Sequence, residues 1–316
     1  METRRTIFIA RTAKIWGMNE KQALKLLKLK PQKSIRINSN RDINSIKNKI
    51  KKQKINIWSI KWSNNCYKTD SLQQIKRSDV FKNSDVVIQN ASSFCPVINL
   101  MPEPNEKILD LCAAPGLKTS HISDLAENRA EITANELSFN RYNKMVSFFK
   151  EYGCKVNSIN SNGLIFARQS LKYEYYDKVL VDAPCSGEAG INIDDPNAFN
   201  SWSIKNIKRL QSLQLNLLKS AYKMAKVGGT IVYSTCTINA EENEVVVSKF
   251  LKQTSCKLEK VNSGDLPTIV LNSQYLSRDI DPNILNMCAR IIPSENNEAF
   301  FVAKLIKTAE NEFLYK

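Results

Sequence analysis

Residues 108–125 read ILDLCAAPGLKTSHISDL. Apolar Ile108, Leu109 and Leu111 give a strand pattern, Ala113, Ala114, Pro115 and Gly116 break it in a small-residue turn, and an amphipathic helix carrying Ile122 and Leu125 follows. This is the first strand, loop and helix of a nucleotide-binding α/β domain. Such a turn lets backbone N–H groups and a helix N-terminus approach a ligand closely. The chain contains neither the G-x-x-x-x-G-K-[ST] phosphate loop nor the G-x-G-x-x-G dinucleotide fingerprint. The remaining common occupant is S-adenosylmethionine.

From Lys107 onward, strand and helix patterns alternate, which predicts a mostly parallel sheet with helices on both faces. The expected strands are 108–111, 131–134, 155–159, 178–181 and 230–234, with helices over 139–152, 204–226 and 241–252. Segments 257–261 and 299–306 are read as an antiparallel hairpin closing the sheet edge. Ligands bind such sheets at the carboxyl ends of the strands. Those ends deliver Asp110 and the loop, Glu136, Asn162, Asp182 to Cys185, and Thr235-Cys236. Glu136 follows the turn by about 20 residues, where a carboxylate accepts hydrogen bonds from ribose hydroxyls.

The chain has 316 residues, 42% of them hydrophobic, enough for one large core and a smaller module. No apolar run approaches a membrane span and the N-terminus lacks a signal pattern, so the chain reads as soluble and cytoplasmic. Eight scattered cysteines form no C-x-x-C pair, and with His121 as the sole histidine a zinc-ligand spacing is missing; no metal is expected. The net charge of +15 lies entirely in residues 1–88, which carry 21 Lys and Arg against 6 Asp and Glu, while the remainder carries 25 of each. Residues 1–88 are therefore read as a small basic α+β module and 89–316 as the catalytic domain. In the module, 1–30 holds a helical pattern, 34–38 and 55–62 are expected strands, and 43–50 a helix. Its Lys47, Lys49, Lys51, Lys52, Lys54 and Lys61, interleaved with Trp58 and Trp62, suit phosphates and bases, the tryptophans being equally suited to a core.

Cys185 and Cys236 end neighbouring expected strands and should face one pocket, with Asp182 three residues before the first. A thiolate without a histidine partner suits addition to an electrophilic ring carbon rather than Cys–His hydrolysis.

DLCAAPGLKT (110–119), ANELSFNR (134–141), VDAPCSGEAG (181–190) and YSTCTINAEENE (233–244) occur in order, and KSIRIN (33–38), IQNASS (88–93) and FFVAKL (300–305) flank them. Together they resemble the Nop/Sun family of RNA 5-methylcytosine methyltransferases, nearest the bacterial small-subunit ribosomal RNA methyltransferase F branch without its C-terminal extension. The resemblance implies a Rossmann-like class I methyltransferase domain, with a mostly parallel seven-stranded sheet, behind the basic α+β domain. It implies Cys236 as nucleophile and Cys185 as assisting thiol, and Asp182 is the candidate partner of cytosine nitrogen 3. The matching cofactor positions are Cys112, Ala113, Ala114, Pro115, Gly116, Leu117, Lys118, Glu136, Asn162 and Asp182, around S-adenosylmethionine.

Three positions depart from the family pattern. Asn162 stands where an Asp usually serves the adenine, Leu117 where Gly or Ser is common, and INIDDP (191–196) where relatives carry basic residues. The implied partner is RNA, ribosomal or transfer, with a ribosomal subunit as one possible context; the chain is expected to be a monomer. The alternative is an RNA-binding ribosome-assembly factor that keeps the fold with little catalysis. Asn162 and INIDDP motivate it; Cys236, Cys185, Asp182 and Glu136 oppose it.

Overall fold

The computed structural model describes residues 3–275 and 279–310. A nine-stranded sheet carries the catalytic part. Its parallel strands are β5 (Lys107–Asp110), β6 (Glu131–Glu136), β7 (Val156–Asn160), β8 (Tyr176–Asp182) and β9 (Ala225–Thr235). The chain passes from β5 outward to β6 and β7, returns to β8 on the other side of β5, and continues to β9. The direction of travel reverses at β5, and the crevice outside the carboxyl ends of β5 and β8 is the expected ligand site. Successive strand residues point to opposite faces. Leu109, Val179, Val181, Ile231 and Tyr233 share one core; Ile108, Leu180, Val232 and Ile132 belong to the other.

Helices α6 (Cys95–Leu100), α7 (Leu117–Leu125), α8 (Phe139–Tyr152), α9 (Phe166–Ser170), α10 (Ile204–Met224) and α11 (Glu244–Leu251) flank this sheet. The expected helix 241–252 begins three residues later, because the side chains of Glu242 and Asn243 are taken up by Ser186 and Gln214 and by Thr235 and Thr237 rather than by a helical turn. The expected helix 204–226 stops at Met224 because Ala225 already begins β9.

The sheet has nine strands, not seven. Strands β10 (Cys256–Glu259), β11 (Thr268–Ile269), β12 (Ala289–Ile291) and β13 (Phe300–Lys307) complete it. The antiparallel pair of 257–261 with 299–306 exists as β10 with β13, but β13 is no edge: it pairs β9 along one side and both β12 and β10 along the other. Eight residues of β13 accommodate two short partners, and strands of two or three residues are too short to show a period of two.

The basic segment forms two separately packed pieces. Strands β1 (Ser34–Ile37), β2 (Trp58–Ser59), β3 (Cys66–Lys68) and β4 (Val86–Gln89) make a four-stranded sheet in the order β2-β3-β1-β4. With α3 (Ile43–Lys52), α4 (Leu72–Arg77) and α5 (Asp79–Lys82) it encloses its own core of Ile35, Ile37, Ile46, Ile50, Ile75 and Val86. The expected strand 55–62 is reduced to Trp58–Ser59, because Ile55 and Ile60 are both buried as anchors on either side of an exposed pair. Trp58 is half exposed, whereas Trp62 packs on Phe94 and donates its Nε1–H to Asp265.

Helices α1 (Arg4–Trp16) and α2 (Glu20–Leu27) lie elsewhere. Asn19 caps α2 reciprocally with Gln22. Phe8, Ile9, Ile15, Trp16 and Ala23 are buried with Ile193, Phe199, Trp202, Ile238 and Val245, against the loops that carry the two cysteines. The small sheet reaches the catalytic sheet through Arg36, fully buried between Ile35 and Ile37. Its guanidinium pairs with Asp124 and donates to Ser120 Oγ at 2.6 Å, Tyr152 Oη at 2.6 Å and the Leu117 carbonyl at 3.1 Å. Among the described residues no helix is long and apolar enough to cross a membrane.

Candidate active site

At the carboxyl ends of β5, β6, β8 and β9 lies a cleft of about 380 Å³. One wall is the small-residue turn. Gly116 caps α7 with φ +102°, and a Cβ there would sit 2.7 Å from the Phe149 ring, so only glycine both adopts this backbone and fits. Cys112 and Ala114 line the cleft, while Ala113 is buried beneath them with its N–H on the Asn135 carbonyl at 2.8 Å. Pro115, Gly116, Leu117 and Lys118 do not line it. Leu117 faces α7's contact with Arg36 through its carbonyl. Behind the turn, burial pushes the Asp110 carboxyl up to about 7, against a hydrogen bond from Thr119 at 2.7 Å.

Glu136 ends β6 and is almost fully buried. Its Oε1 accepts from the Ser138 N–H at 2.9 Å and from Arg141 at 3.4 Å. Those contacts leave Oε2 for a hydroxyl pair. Asn162 lines the cleft beyond β7; its side-chain carbonyl accepts the Leu164 N–H at 3.0 Å, leaving its NH2 to donate. Asn135 also lines the cleft, and its buried Oδ1 has no protein partner among the described residues. A vicinal-diol acceptor, an amide donor and an orphaned amide oxygen in one cavity fit the nucleoside and amino-acid parts of S-adenosylmethionine.

The other wall comes from the loops after β8 and β9, which are hydrogen-bonded neighbours with Asp182 opposite Ser234. Cys185 Sγ and Cys236 Sγ are 3.3 Å apart at the cleft. The hydrogen bond from Cys185 holds the Cys236 thiol below the ordinary thiol value, against burial, and the Lys118 charge adds to that; the same bond pushes Cys185 well up. Asp182 Oδ2 accepts from Lys118 Nζ at 2.8 Å and Oδ1 from Ser234 Oγ at 2.7 Å. Burial alone would lower the Lys118 ammonium, but the charge of Asp182 and its hydrogen bond outweigh it and the pKa rises. Lys118, expected at the cofactor, sets its ammonium on Asp182 and over the Phe300 ring.

Two buried carboxylates lace the cysteine loops together. Glu188, just past Cys185, accepts from Thr237 Oγ1 at 2.8 Å, the N–H groups of Ile238 at 3.0 Å and Asn239 at 2.8 Å, and Trp202 Nε1 at 2.8 Å. Glu242, past Cys236, reaches back to the Ser186 N–H at 2.9 Å and takes Gln214 Nε2 at 2.7 Å and Asn239 Nδ2 at 2.6 Å. Arg290 on β12 pairs with Glu244 and donates to the Ile238 carbonyl. Sequence reasoning did not single out Glu188, Glu242 or Arg290. The two acids stood inside motifs already quoted; Arg290 carried no local signal. Asp194 of the INIDDP loop, where a basic residue was missing, pairs with Lys28 of the linker after α2 at 2.7 Å. His121 is buried on α7 against Phe94, away from the cleft; burial, and then the Arg36 charge, lower its pKa.

A parallel sheet reversing at β5, with an acid closing β6 and a nucleoside-shaped cleft at the turn, defines a Rossmann-like S-adenosylmethionine-dependent methyltransferase. The chain belongs to the 16S rRNA methyltransferase RsmB/F family, whose model matches residues 97–306. It is similar to the tRNA (cytosine(49)-C(5))-methyltransferase of Pyrococcus abyssi, 38% identical over 228 residues, covering 70% of each chain. It is also similar to ribosomal RNA small subunit methyltransferase F of Vibrio cholerae, 40% identical over 170 residues, 53% of this chain and 35% of that one. A methyltransferase homologue from Pyrococcus horikoshii has the same fold, with a TM-score of 0.80 at 26% identity, over 96% of this chain and 95% of that one. The chain therefore spans most of its archaeal relative and about a third of the bacterial one.

Proposed function

We propose that this chain transfers a methyl group from S-adenosylmethionine to carbon 5 of a cytosine in structured RNA through a covalent Cys236 adduct. The observation that carries the reading is the pair of sulfurs 3.3 Å apart beside Asp182 and Lys118 at the cofactor cleft. Carbon 5 of cytosine is a poor nucleophile. Addition of the Cys236 thiolate to carbon 6 turns the ring into an enamine whose carbon 5 can attack. Bound S-adenosylmethionine supplies the electrophilic methyl group. The Cys185 hydrogen bond favours the Cys236 thiolate and the Lys118 charge adds to that, Asp182 hydrogen-bonds ring nitrogen 3 of the adduct, and Ser234 and Lys118 hold Asp182 in place. After loss of the carbon 5 proton the sulfur departs, and the Cys185 thiol beside it stabilises the leaving thiolate. The cytosine enters by flipping out of its stack, since no ring atom inside a helix reaches the cleft.

Residues 1–88 serve as the RNA-holding module and residues 89–316 as the catalytic domain; of these, 1–2, 276–278 and 311–316 lie outside the described residues. The chain acts as a monomer in the cytoplasm, on transfer RNA or on ribosomal RNA in a partly assembled subunit. The test is bisulfite sequencing of both RNA classes after incubation with S-adenosylmethionine and either wild type or Cys236→Ala. A cytosine protected only by the wild type is the expected result. Protection by neither, on naked RNA and on ribosomal subunits alike, overturns the reading.

A further inference from the structure

Helix α10 runs beside the cleft, and its 21 residues, IKNIKRLQSLQLNLLKSAYKM, hold five cations and no carboxylate. One face is spent on the core, with Ile207, Leu210, Leu217, Leu218 and Ala221 buried. The opposite face presents Lys205, Arg209, Ser212, Asn216, Lys219 and Lys223, at alternating spacings of four and three residues. That periodicity draws a single stripe along a helix about 31 Å long.

The stripe stands out in its own domain. Residues 89–316 balance acids and bases, and many of their lysines are paired: Lys178 with Glu106, Lys226 with Asp177, Lys304 with Glu259. Among the described residues Lys205, Lys208, Arg209 and Lys219 make no ion pair, and the Arg209 guanidinium meets only Asn206 Oδ1, at 3.0 and 3.3 Å. Four of the unpaired cations of an otherwise neutral domain fall on this one acid-free helix. Midway along, this helix is part of the active site: Leu213 and Leu217 line the cleft, and Gln214 donates to the Pro184 carbonyl at 2.9 Å. At its lower end the stripe opens into a groove of about 390 Å³ between α9 and α10. Arg168 and Tyr173 face Asn216, Lys219 and Lys223 across it, and no carboxylate lines it.

We propose that the outer face of α10 and this groove form a phosphate rail for the RNA strand leading away from the target cytosine. The proposal rests on the RNA reading above and adds a second contact surface, on the catalytic domain itself. The complement of a long, acid-free cationic stripe that runs past the cleft is a polyanion whose charges repeat along its length, and the phosphodiester backbone is that partner. Contacts of this kind position the RNA without reading its sequence.

The test compares two triple variants that remove the same charge: Lys205→Gln/Arg209→Gln/Lys219→Gln on the rail and Lys252→Gln/Lys257→Gln/Lys260→Gln near the far sheet edge, all solvent-accessible positions. Filter binding of bulk transfer RNA is measured between 50 and 200 mM salt, with thermal melts to verify folding. The rail variant should lower the slope of log K against log salt by about 2 to 3 and weaken binding roughly tenfold near 150 mM salt, since each phosphate contact contributes about 0.7 to 0.9 to that slope. Its methyl transfer at saturating RNA should match wild type, and the far-edge variant should keep the wild-type slope. An unchanged slope in the rail variant, or an equal fall in both variants, overturns the rail. A wild-type protein that binds RNA but transfers no methyl to it overturns the catalytic reading alone, and one that binds no RNA overturns both.

Discussion

On the cofactor side of the cleft, the shape comes from residues near one another in the chain: a turn capped by Gly116, an acid closing the next strand, and an amide after the one beyond. On the cysteine side, nothing local holds the thiols in place. Cys185 and Cys236 stand 51 residues apart and are brought to 3.3 Å by buried carboxylates, each sitting on one loop and accepting from the other. Strand ends and turns tolerate the loss of one side chain, because the backbone ladder persists. A crossed set of buried hydrogen bonds does not, because every removed acceptor strands several donors.

Substitutions on the two sides test that contrast. The largest effect is expected from Cys236→Ala, which should lower methyl transfer to RNA by roughly four orders of magnitude or more, as removal of a covalent nucleophile does. Equilibrium binding of S-adenosylhomocysteine should stay at the wild-type value, and a matching loss there would erase the separation of the two sides. Glu188→Ala comes next. It leaves Thr237 Oγ1, two backbone N–H groups and Trp202 Nε1 without their acceptor, so unfolding stability should drop by about 3 kcal/mol and transfer by roughly a hundredfold. Glu188→Gln keeps one oxygen for the cluster of three donors and should recover much of both in chemical denaturation and single-turnover assays. Equal behaviour of the two variants would mean that the lacing is not what positions the thiols.

Lys118→Met sharpens the electrostatic part. Lys118 lowers the Cys236 pKa and Asp182 raises it, so removing the cation leaves the anion unopposed. The pH at which Cys236 becomes half alkylated by iodoacetamide should rise, and transfer near pH 7 should fall. A limb that stays in place would exclude Lys118 from activating the thiol. The smallest change is predicted for Asn162→Ala on the cofactor side. Loss of one neutral hydrogen-bond donor should weaken S-adenosylhomocysteine about threefold in calorimetry, with transfer at saturating cofactor unchanged.

Much of the catalytic sheet was legible because buried parallel strands separated by amphipathic helices leave strong patterns, and α8 matches its expected span of 139–152. Cys236, Cys185, Asp182 and Glu136 were legible as strand-end residues. Strands β11 and β12 were not, being two and three residues long. Trp62 and Trp58 read alike in sequence, and only packing against Phe94 separates a core ring from a half-exposed one.

The amino-acid sequence by itself determined the order of the parallel strands and their main helices, the small-residue turn at the cleft, the confinement of net charge to residues 1–88 and the family. These depend on periodicity, local turn chemistry and motifs, all short-range properties of the chain. Only the tertiary structure decided that Lys118 pairs with Asp182, that Glu188 and Glu242 lace the two loops, that α1 and α2 pack on the catalytic loops apart from the small sheet, and that α10 exposes an acid-free cationic stripe. Each of these is a relation between residues distant in the chain. Such a relation exists only once burial has excluded water and left each polar group to find its partner within the fold.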